Sequence, residues 1–181
     1  MNRIGDWIMT YTGVHFYPLD CRQEEIRIED IAHALACSNR FTGHTKTPYS
    51  IAHHSWLVSY YCDHKDALWG LLHDASEAYL HDIPRPLKKL PLMNHYSLLE
   101  SNLMQDICDK FGLGYGQPES VTIADNRALA TEGRDLMPYD ETFSWSIYGR
   151  PFGEHITPWS WQIAEQKFLE RFKELIDDSA K

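Results

Sequence analysis

The chain lacks several features that would each point elsewhere. Its four cysteines, Cys21, Cys37, Cys62 and Cys108, never stand as Cys-x-x-Cys. That spacing argues against zinc ligation and a disulfide framework, and predicts buried free thiols of a reducing compartment. No stretch approaches the ~18–20 apolar residues that a transmembrane helix needs. Met1 to Asp6 is not a basic segment leading into an apolar one, so no signal peptide is read there. Positive charge is also short: 17 Lys and Arg against 26 Asp and Glu give a formal net charge of −9. This balance argues against the broad basic face that binds a nucleic-acid backbone. It leaves room for a small phosphorylated substrate, because a bound divalent ion and a few placed cations reverse the field locally. The expectation is a soluble cytoplasmic protein with neither a membrane nor a nucleic-acid polymer as partner.

What is present fits one domain over 1–181. The length is enough for one sizeable core and short of a comfortable two. At 43% hydrophobic and 24% charged residues, the composition is that of a globular chain rather than a disordered one. Residues 7–17, aromatic and β-branched around Thr12-Gly13, predict a short β-hairpin within an N-terminal extension over 1–20. Helical patterns follow over 26–36, 48–62, 66–80, 97–111, 120–136 and 157–176. Thr47-Pro48 and Thr157-Pro158 read as caps followed by Pro at the first helical position. Segments 40–45 and 138–151 show no period and read as irregular. The fold class is mainly α with one hairpin.

The chemistry collects between His73 and Lys88. On a helix, His73 and Glu77 stand at i and i+4, and Asp74 and Glu77 at i and i+3, so all three face one cavity. An imidazole beside a carboxylate, at the end of the apolar run Ala67 to Leu72, is a plausible pair of metal ligands. Pro84 and Pro86 then end the helix and leave Arg85 and Lys88 on a stiff loop. Cations just past a metal site imply an anionic ligand, most simply a phosphate. A His-Asp pair alone is a weak signal. With ten histidines and many aspartates about one such pair arises by chance, and the chain has two, the other being His81-Asp82. Further donors stand on separate helices: His54 (or His53) and Asp125.

This order, an upstream His, a His-Asp pair and a distant Asp, resembles the HD-domain metal-dependent phosphohydrolases. The run His73-Asp74-Ala75-Ser76-Glu77, then Asp82, then Pro84-x-Pro86-x-Lys88 is similar to the HD-domain 5′-deoxynucleotidases nearly residue for residue. Arg40-Phe41 stands fourteen residues ahead of His54, close to where that family carries an Arg-Trp pair. Tyr11-Thr12-Gly13, Pro18-Leu19-Asp20 and Ile28-Glu29-Asp30-Ile31-Ala32 resemble small phage and bacterial HD phosphohydrolases, the phage dATP triphosphohydrolases among them.

The resemblance implies an HD-domain helical bundle with metal ligands His54, His73, Asp74 and Asp125. His54 is preferred to His53 because Ser55 completes the family's His-Ser pair. Two imidazoles and two carboxylates suit Mn, Co, Fe or Ni, and Zn also fits, so the divalent ion is not named. Glu77 is implied to position a water and take its proton, and Asp82 to handle that water or the leaving oxygen. His81 precedes Asp82 where the family carries a Gly. Arg40 is implied to bind phosphate or the sugar edge, and Lys88 the phosphate, while Arg85 reads as a solvated cation. Phe41 replaces the Trp to which the family's sugar selectivity is tied. The remaining histidines read as surface or core residues, with His44 the first exception to consider. The implied activity cleaves the 5′-phosphate ester of deoxynucleotides, as mono- or triphosphates, dATP included. The competing readings are a nucleotide-binding sensor and a hydrolase of a cyclic or alarmone nucleotide. The partners implied are a small-molecule nucleotide and further copies of the chain in a homo-oligomer.

Overall fold

The helix Ile51–Tyr61 (α2) buries residues on every side, Ile51, Ala52, His54, Ser55, Val58 and Ser59 among them. A helix without a polar face belongs in the interior. In the computed structural model, which describes residues 3–179, α2 is the central element. Around it pack α1 (Ile28–Cys37), α3 (Ala67–Leu72), α7 (Glu119–Leu136) and α8 (Trp161–Ser179). The ends of the expected domain, Met1, Asn2, Ala180 and Lys181, lie outside the described residues. Three further helices complete the order: α4 (Glu77–Leu80), α5 (Arg85–Lys88) and α6 (Asn94–Phe111). The main core joins Ile31 and Leu35 of α1, Ile51 of α2, Leu71 and Leu72 of α3, Ile107 of α6 and Phe168 of α8. A smaller cluster packs Val58 and Trp69 against Val121, Ala124 and Ala128 of α7, with Phe152 beside them.

The starts of α2 and α8 fall later than the sequence expectation, for one reason. Ser50, not Thr47, caps α2: its hydroxyl accepts the His53 N–H at 3.2 Å. Ser50 also bridges to Asn39, which holds the chain extended up to that point. Likewise α8 starts at Trp161, with the Ile163 N–H on the Ser160 hydroxyl at 3.4 Å. In both cases a serine oxygen aimed at a free N–H decides the boundary, and the Pro that precedes it does not.

The hairpin is present but short. Ile8–Met9 (β1) pairs antiparallel with His15–Phe16 (β2), so most of 7–17 is turn and flank. Its turn is pinned to α1, with the Thr12 N–H on Asp30 Oδ1 at 2.7 Å and the Thr12 hydroxyl on Oδ2 at 2.9 Å. Phe16 is fully buried and stacks on Tyr79 at 4.0 Å between ring centroids. Of the four free thiols only Cys108 is buried, and Cys37 is exposed, which corrects the expectation of four buried cysteines. Among the described residues no helix is long and apolar enough to cross a membrane.

The expected helix over 66–80 breaks in the middle. The Gly70 carbonyl, which the Asp74 N–H would take in an unbroken helix, accepts instead from His73 Nδ1 at 2.8 Å. A side chain competing for a backbone acceptor interrupts the helical ladder. The chain then tightens into three-residue turns, Ala75 N–H to Leu72 O at 2.9 Å and Glu77 N–H to Asp74 O at 3.0 Å, before α4. Nor is 84–88 the expected loop. Leu87 and Lys88 N–H both reach the Pro84 carbonyl, making one turn of helix in which the missing N–H of Pro86 costs nothing.

His81 ends α4 at φ 70°, ψ 153°, a backbone region that favours glycine. The Tyr96 hydroxyl holds it there, meeting the Leu80 and His81 carbonyls at 3.1 and 2.8 Å. Strain of this kind costs ~1–3 kcal/mol, less the ~0.5–1 kcal/mol that glycine loses in unfolded-chain freedom. His81→Gly is therefore expected to stabilise the fold by about 1 kcal/mol in urea denaturation. A loss of stability would mean that the His81 ring makes a contribution larger than the strain.

Candidate metal centre

The break at His73 is what builds the site. With Nδ1–H donated to Gly70 O, the opposite nitrogen of His73, Nε2, is aimed at α2. There it meets Nε2 of His54 at 3.2 Å. His54 is fully buried, and its Nδ1–H donates to Glu132 Oε1 at 2.6 Å. A carbonyl and a carboxylate only accept, so both Nδ1 atoms carry the hydrogen and both Nε2 atoms of the neutral rings present lone pairs. Two carboxylates close on the same point. Asp74 Oδ2 lies 3.3 Å from His73 Nε2 and 3.6 Å from His54 Nε2, and Asp125 Oδ1 lies 3.2 Å from His54 Nε2.

Four electron-rich atoms at these separations require a positive charge between them. In a site with ligand bonds of ~2.0–2.2 Å, neighbouring donors stand about 3–3.6 Å apart, and the set fits that spacing. Without an ion, protons must serve. Burial opposes charging His73, but Asp74 and Asp125 outweigh it and push its pKa up to about 9. Burial would likewise raise Asp74 and Asp125. His73 holds Asp74 far below the usual carboxylate range, and His54 brings Asp125 down to about 2. His54, His73 and Asp74 all place donor atoms within 4.8 Å of one another, and Asp125 joins through His54.

His53 plays no part in this cluster. Its ring is buried, stacked on Trp159 at 3.7 Å, and its Nδ1 accepts the Trp159 N–H at 3.4 Å. Burial pushes its pKa down to about 3, so it stays neutral. Despite its polarity, His53 does not face solvent. His44 is exposed, His33 pairs with Glu165, His155 with Asp135, and His15 stacks on Trp7.

Glu132 is the functional residue that sequence reasoning missed. It is fully buried, and it bridges His54 and Arg40, whose Nε–H donates to Glu132 Oε2 at 3.1 Å. Burial would raise its pKa, and the Arg40 guanidinium and His54 hold it below the usual value. The signal was its place seven residues after Asp125, two turns along the same face among Ala124, Ala128 and Thr131. A carboxylate hydrogen-bonded to a ligating imidazole fixes its tautomer and raises its basicity.

Arg40 donates as well to Asp74 Oδ2 at 3.4 Å, so it is bound to the centre's carboxylates. The residues after it, Phe41 and Thr42, both stand at positive φ, 54° and 53°. Two successive left-handed residues other than Gly are strained, and such strain concentrates at functional sites. Glu77 is buried beside the cluster with its Oε2 lacking any protein partner. Burial, then the charges of Asp74 and Asp82, push its pKa up to about 9. Lys88 is less free than expected: its ammonium lies 2.7 Å from Glu100 and 3.5 Å from Glu77. Arg85, expected as a solvated cation, is exposed and also lines the cleft over the centre.

That cleft, of about 490 Å³, brings Arg40, Phe41, Asp82 and Lys88 together with Asp74, Glu77 and Asp125. It lies within the ~300–1,000 Å³ range of small-molecule sites. Every residue read from the sequence as a site residue except His54 and His73, which lie beneath it, lines this one space. Asp74→Ala is expected to abolish divalent-metal retention, read by elemental analysis after metal loading. Glu132→Gln should weaken metal affinity by ~10–100-fold, the usual effect of removing such a supporting carboxylate. Unchanged affinity in both variants would place any bound ion elsewhere.

No family model matches the chain. It is 38% identical over 171 residues to the uncharacterized protein YfdR of Escherichia coli, spanning 93% of this chain and 95% of that one. A second uncharacterized protein, from Rhodobacter capsulatus, is 30% identical over 158 residues, 80% of each chain. Similarity of this extent along nearly the whole length places the chain in the YfdR family.

Proposed function

We propose that the protein is an HD-domain, metal-dependent phosphohydrolase that cleaves the 5′-phosphate ester of deoxynucleotides. The observation that carries this reading is the convergence of His54, His73, Asp74 and Asp125 at the floor of a cleft that also holds Arg40 and Glu77. The resemblance of the His73 to Lys88 run to the 5′-deoxynucleotidases supports the substrate class. A divalent ion held by these four side chains would acidify a water and neutralise charge on the phosphoryl oxygens.

The chain's own groups then have distinct parts. Arg40 points its guanidinium into the cleft beside Asp74, where a phosphate oxygen can accept a charge-assisted hydrogen bond. Glu77 takes the proton of the attacking water. Its carboxyl is held up by burial and by the Asp74 and Asp82 charges, and a cation beside Asp74 offsets part of that and returns it toward a base. Lys88, between Glu77 and Glu100, keeps the Glu77 side chain oriented and stays within reach of a phosphate. Asp82, on the same cleft wall after the strained His81, is placed to meet the leaving oxygen. The water oxygen bonds to the α-phosphorus as the bond to the 5′ oxygen breaks, and the 5′ oxygen leaves as a hydroxyl, taking up the proton that the water gave to Glu77. The reaction releases phosphate from a monophosphate and triphosphate from a triphosphate. Cytoplasmic nucleotide pools are the matching compartment.

Product analysis tests the reading directly, with metal-loaded protein offered dAMP, dATP, AMP and ATP separately. Phosphate from dAMP or triphosphate from dATP is the expected outcome, and attack on ribose and deoxyribose alike would show that Phe41 does not discriminate the sugar. No turnover of any of the four with metal bound would favour a nucleotide sensor. Glu77→Gln is expected to retain the metal and lose turnover by ~10²-fold or more, the scale of a general base. A near-full rate in that variant would remove Glu77 from the chemistry.

A further inference from the structure

The segment after α7 has no helical period, yet it is docked with care. Gly133 of α7 sits directly beneath the Trp145 indole, so closely that any Cβ there would collide with the ring. Asp125, Leu129 and Gly133 stand four apart on α7, on one face. The indole therefore continues the wall that begins at a metal-centre carboxylate, and Asp125, Leu129 and Trp145 all line the cleft. Tyr148 follows, tilted 37° to Trp145 with ring centroids 6.1 Å apart, and Phe41 meets the indole edge-on at 5.7 Å. Opposite stands Arg85, its guanidinium 5.9 Å from the Tyr148 ring centre. Among the described residues Arg85 forms no ion pair with a carboxylate, unlike Arg40 and Lys88.

The metal centre also opens on a second side, to a cleft of about 430 Å³ that shares Asp74, Glu77 and Lys88. Its lining is of another kind: Ser101, Gln105 and Gln117, with Glu100 tied to Lys88. Trp69 is nearly buried there, its indole N–H donated to Gly114 O, and Tyr115 is a lone exposed ring whose hydroxyl donates to Asp109. Two neighbouring rings faced by a cation that no carboxylate neutralises are found on the Trp145 side.

We propose that Trp145 and Tyr148, seated on the Gly133 notch and faced by Arg85, form a platform that binds the nucleobase of the substrate. This rests on the nucleotide reading above and adds to it the specificity-determining residues. Half-buried indole and phenol rings beside an unpaired guanidinium suit a planar, electron-rich heterocycle, by stacking and cation–π contact. A phosphomonoester without a base gains nothing from them.

The test compares dAMP with 2-deoxyribose 5-phosphate on metal-loaded protein. In Trp145→Ala and Tyr148→Ala the ratio of kcat/KM between the two substrates is expected to fall about tenfold, through KM for dAMP. Tyr148→Phe should keep most of the ratio. Gly133→Ala, which leaves both rings in the chain but unseats the indole, should behave like Trp145→Ala. Circular dichroism and metal content identify any variant that has simply lost its fold, and Tyr148→Phe with Gly133→Ala then carry the test. An unchanged ratio in the alanine variants, or a fall on Gln117→Ala instead, would overturn the platform. If the parent protein cleaves dATP alone, the same loss is expected in KM for dATP, and if it hydrolyses neither dATP nor these two substrates, the phosphohydrolase reading fails on its own. The platform is then judged by binding of 2-aminopurine deoxyriboside 5′-monophosphate. Fluorescence quenching lost in Trp145→Ala would support it, and no quenching by the parent protein would overturn it.

Discussion

Two imidazole nitrogens 3.2 Å apart, each with its hydrogen held on the far side of its ring, create a demand for positive charge that the surrounding structure is arranged to support. The arrangement needs Glu132, and Glu132 is fully buried. An isolated carboxylate so deep would be prohibitively costly, so its two oxygens must be satisfied by charged or strongly donating partners. His54 takes one and Arg40 the other. That single carboxylate therefore ties three parts of the chain, the 40–43 turn, α2 and α7, into one geometry. The candidate metal donors are fixed because their far sides are locked, which is the condition for a site held to the tolerance that chemistry needs.

Local backbone departs from the regular where this geometry meets the cleft. His73 sacrifices a helical hydrogen bond at Gly70 to aim its Nε2. Phe41, Thr42 and His81 all stand at positive φ, and the first two line the cleft while the third precedes Asp82. Each distortion is anchored by something nearby: the Asn39–Ser50 bridge closes the first loop, and Tyr96 clamps the second. Unfavourable conformations next to a candidate active site, with dedicated contacts to hold them, are how folds present side chains that a regular element would turn away.

Electrostatics of the cleft follow from which cations are engaged. A chain of net charge −9 offers little general attraction for an anion, so binding must come from particular groups. Arg40 and Lys88 are partly neutralised by the carboxylates they support, whereas Arg85 keeps its charge for the cleft mouth. The two sides of the centre are accordingly unlike, one setting Trp145 and Tyr148 against Arg85, the other combining hydroxyls and carboxamides with the lone exposed ring of Tyr115.

Much was legible before any coordinates. Helical patterning placed α1, α6, α7 and α8 to within a few residues, and the Thr47-Pro48 signal did the same for α2, which has no polar face for a period to mark. The motif order picked out His54, His73, Asp74 and Asp125, whose donor atoms the fold brings together. What could not be read were contacts whose partners are far apart in the chain. His54 and Glu132 are 78 residues apart, Arg40 and Glu132 are 92, and no local pattern announces either pair. Ser55 already favoured His54 over His53 in the sequence, and the packing of α2 supplies the physical reason, His53 lying against Trp159 and His54 facing Glu132 of α7. Amino-acid order by itself determined most of the elements, because periodicity is a local property, and its motif order, through the family resemblance, pointed to the candidate donors. Tertiary structure alone decided the break at His73, the buried carboxylate behind His54 and the docking of Trp145 on Gly133. Each of those depends on which distant surface the chain meets when its core closes.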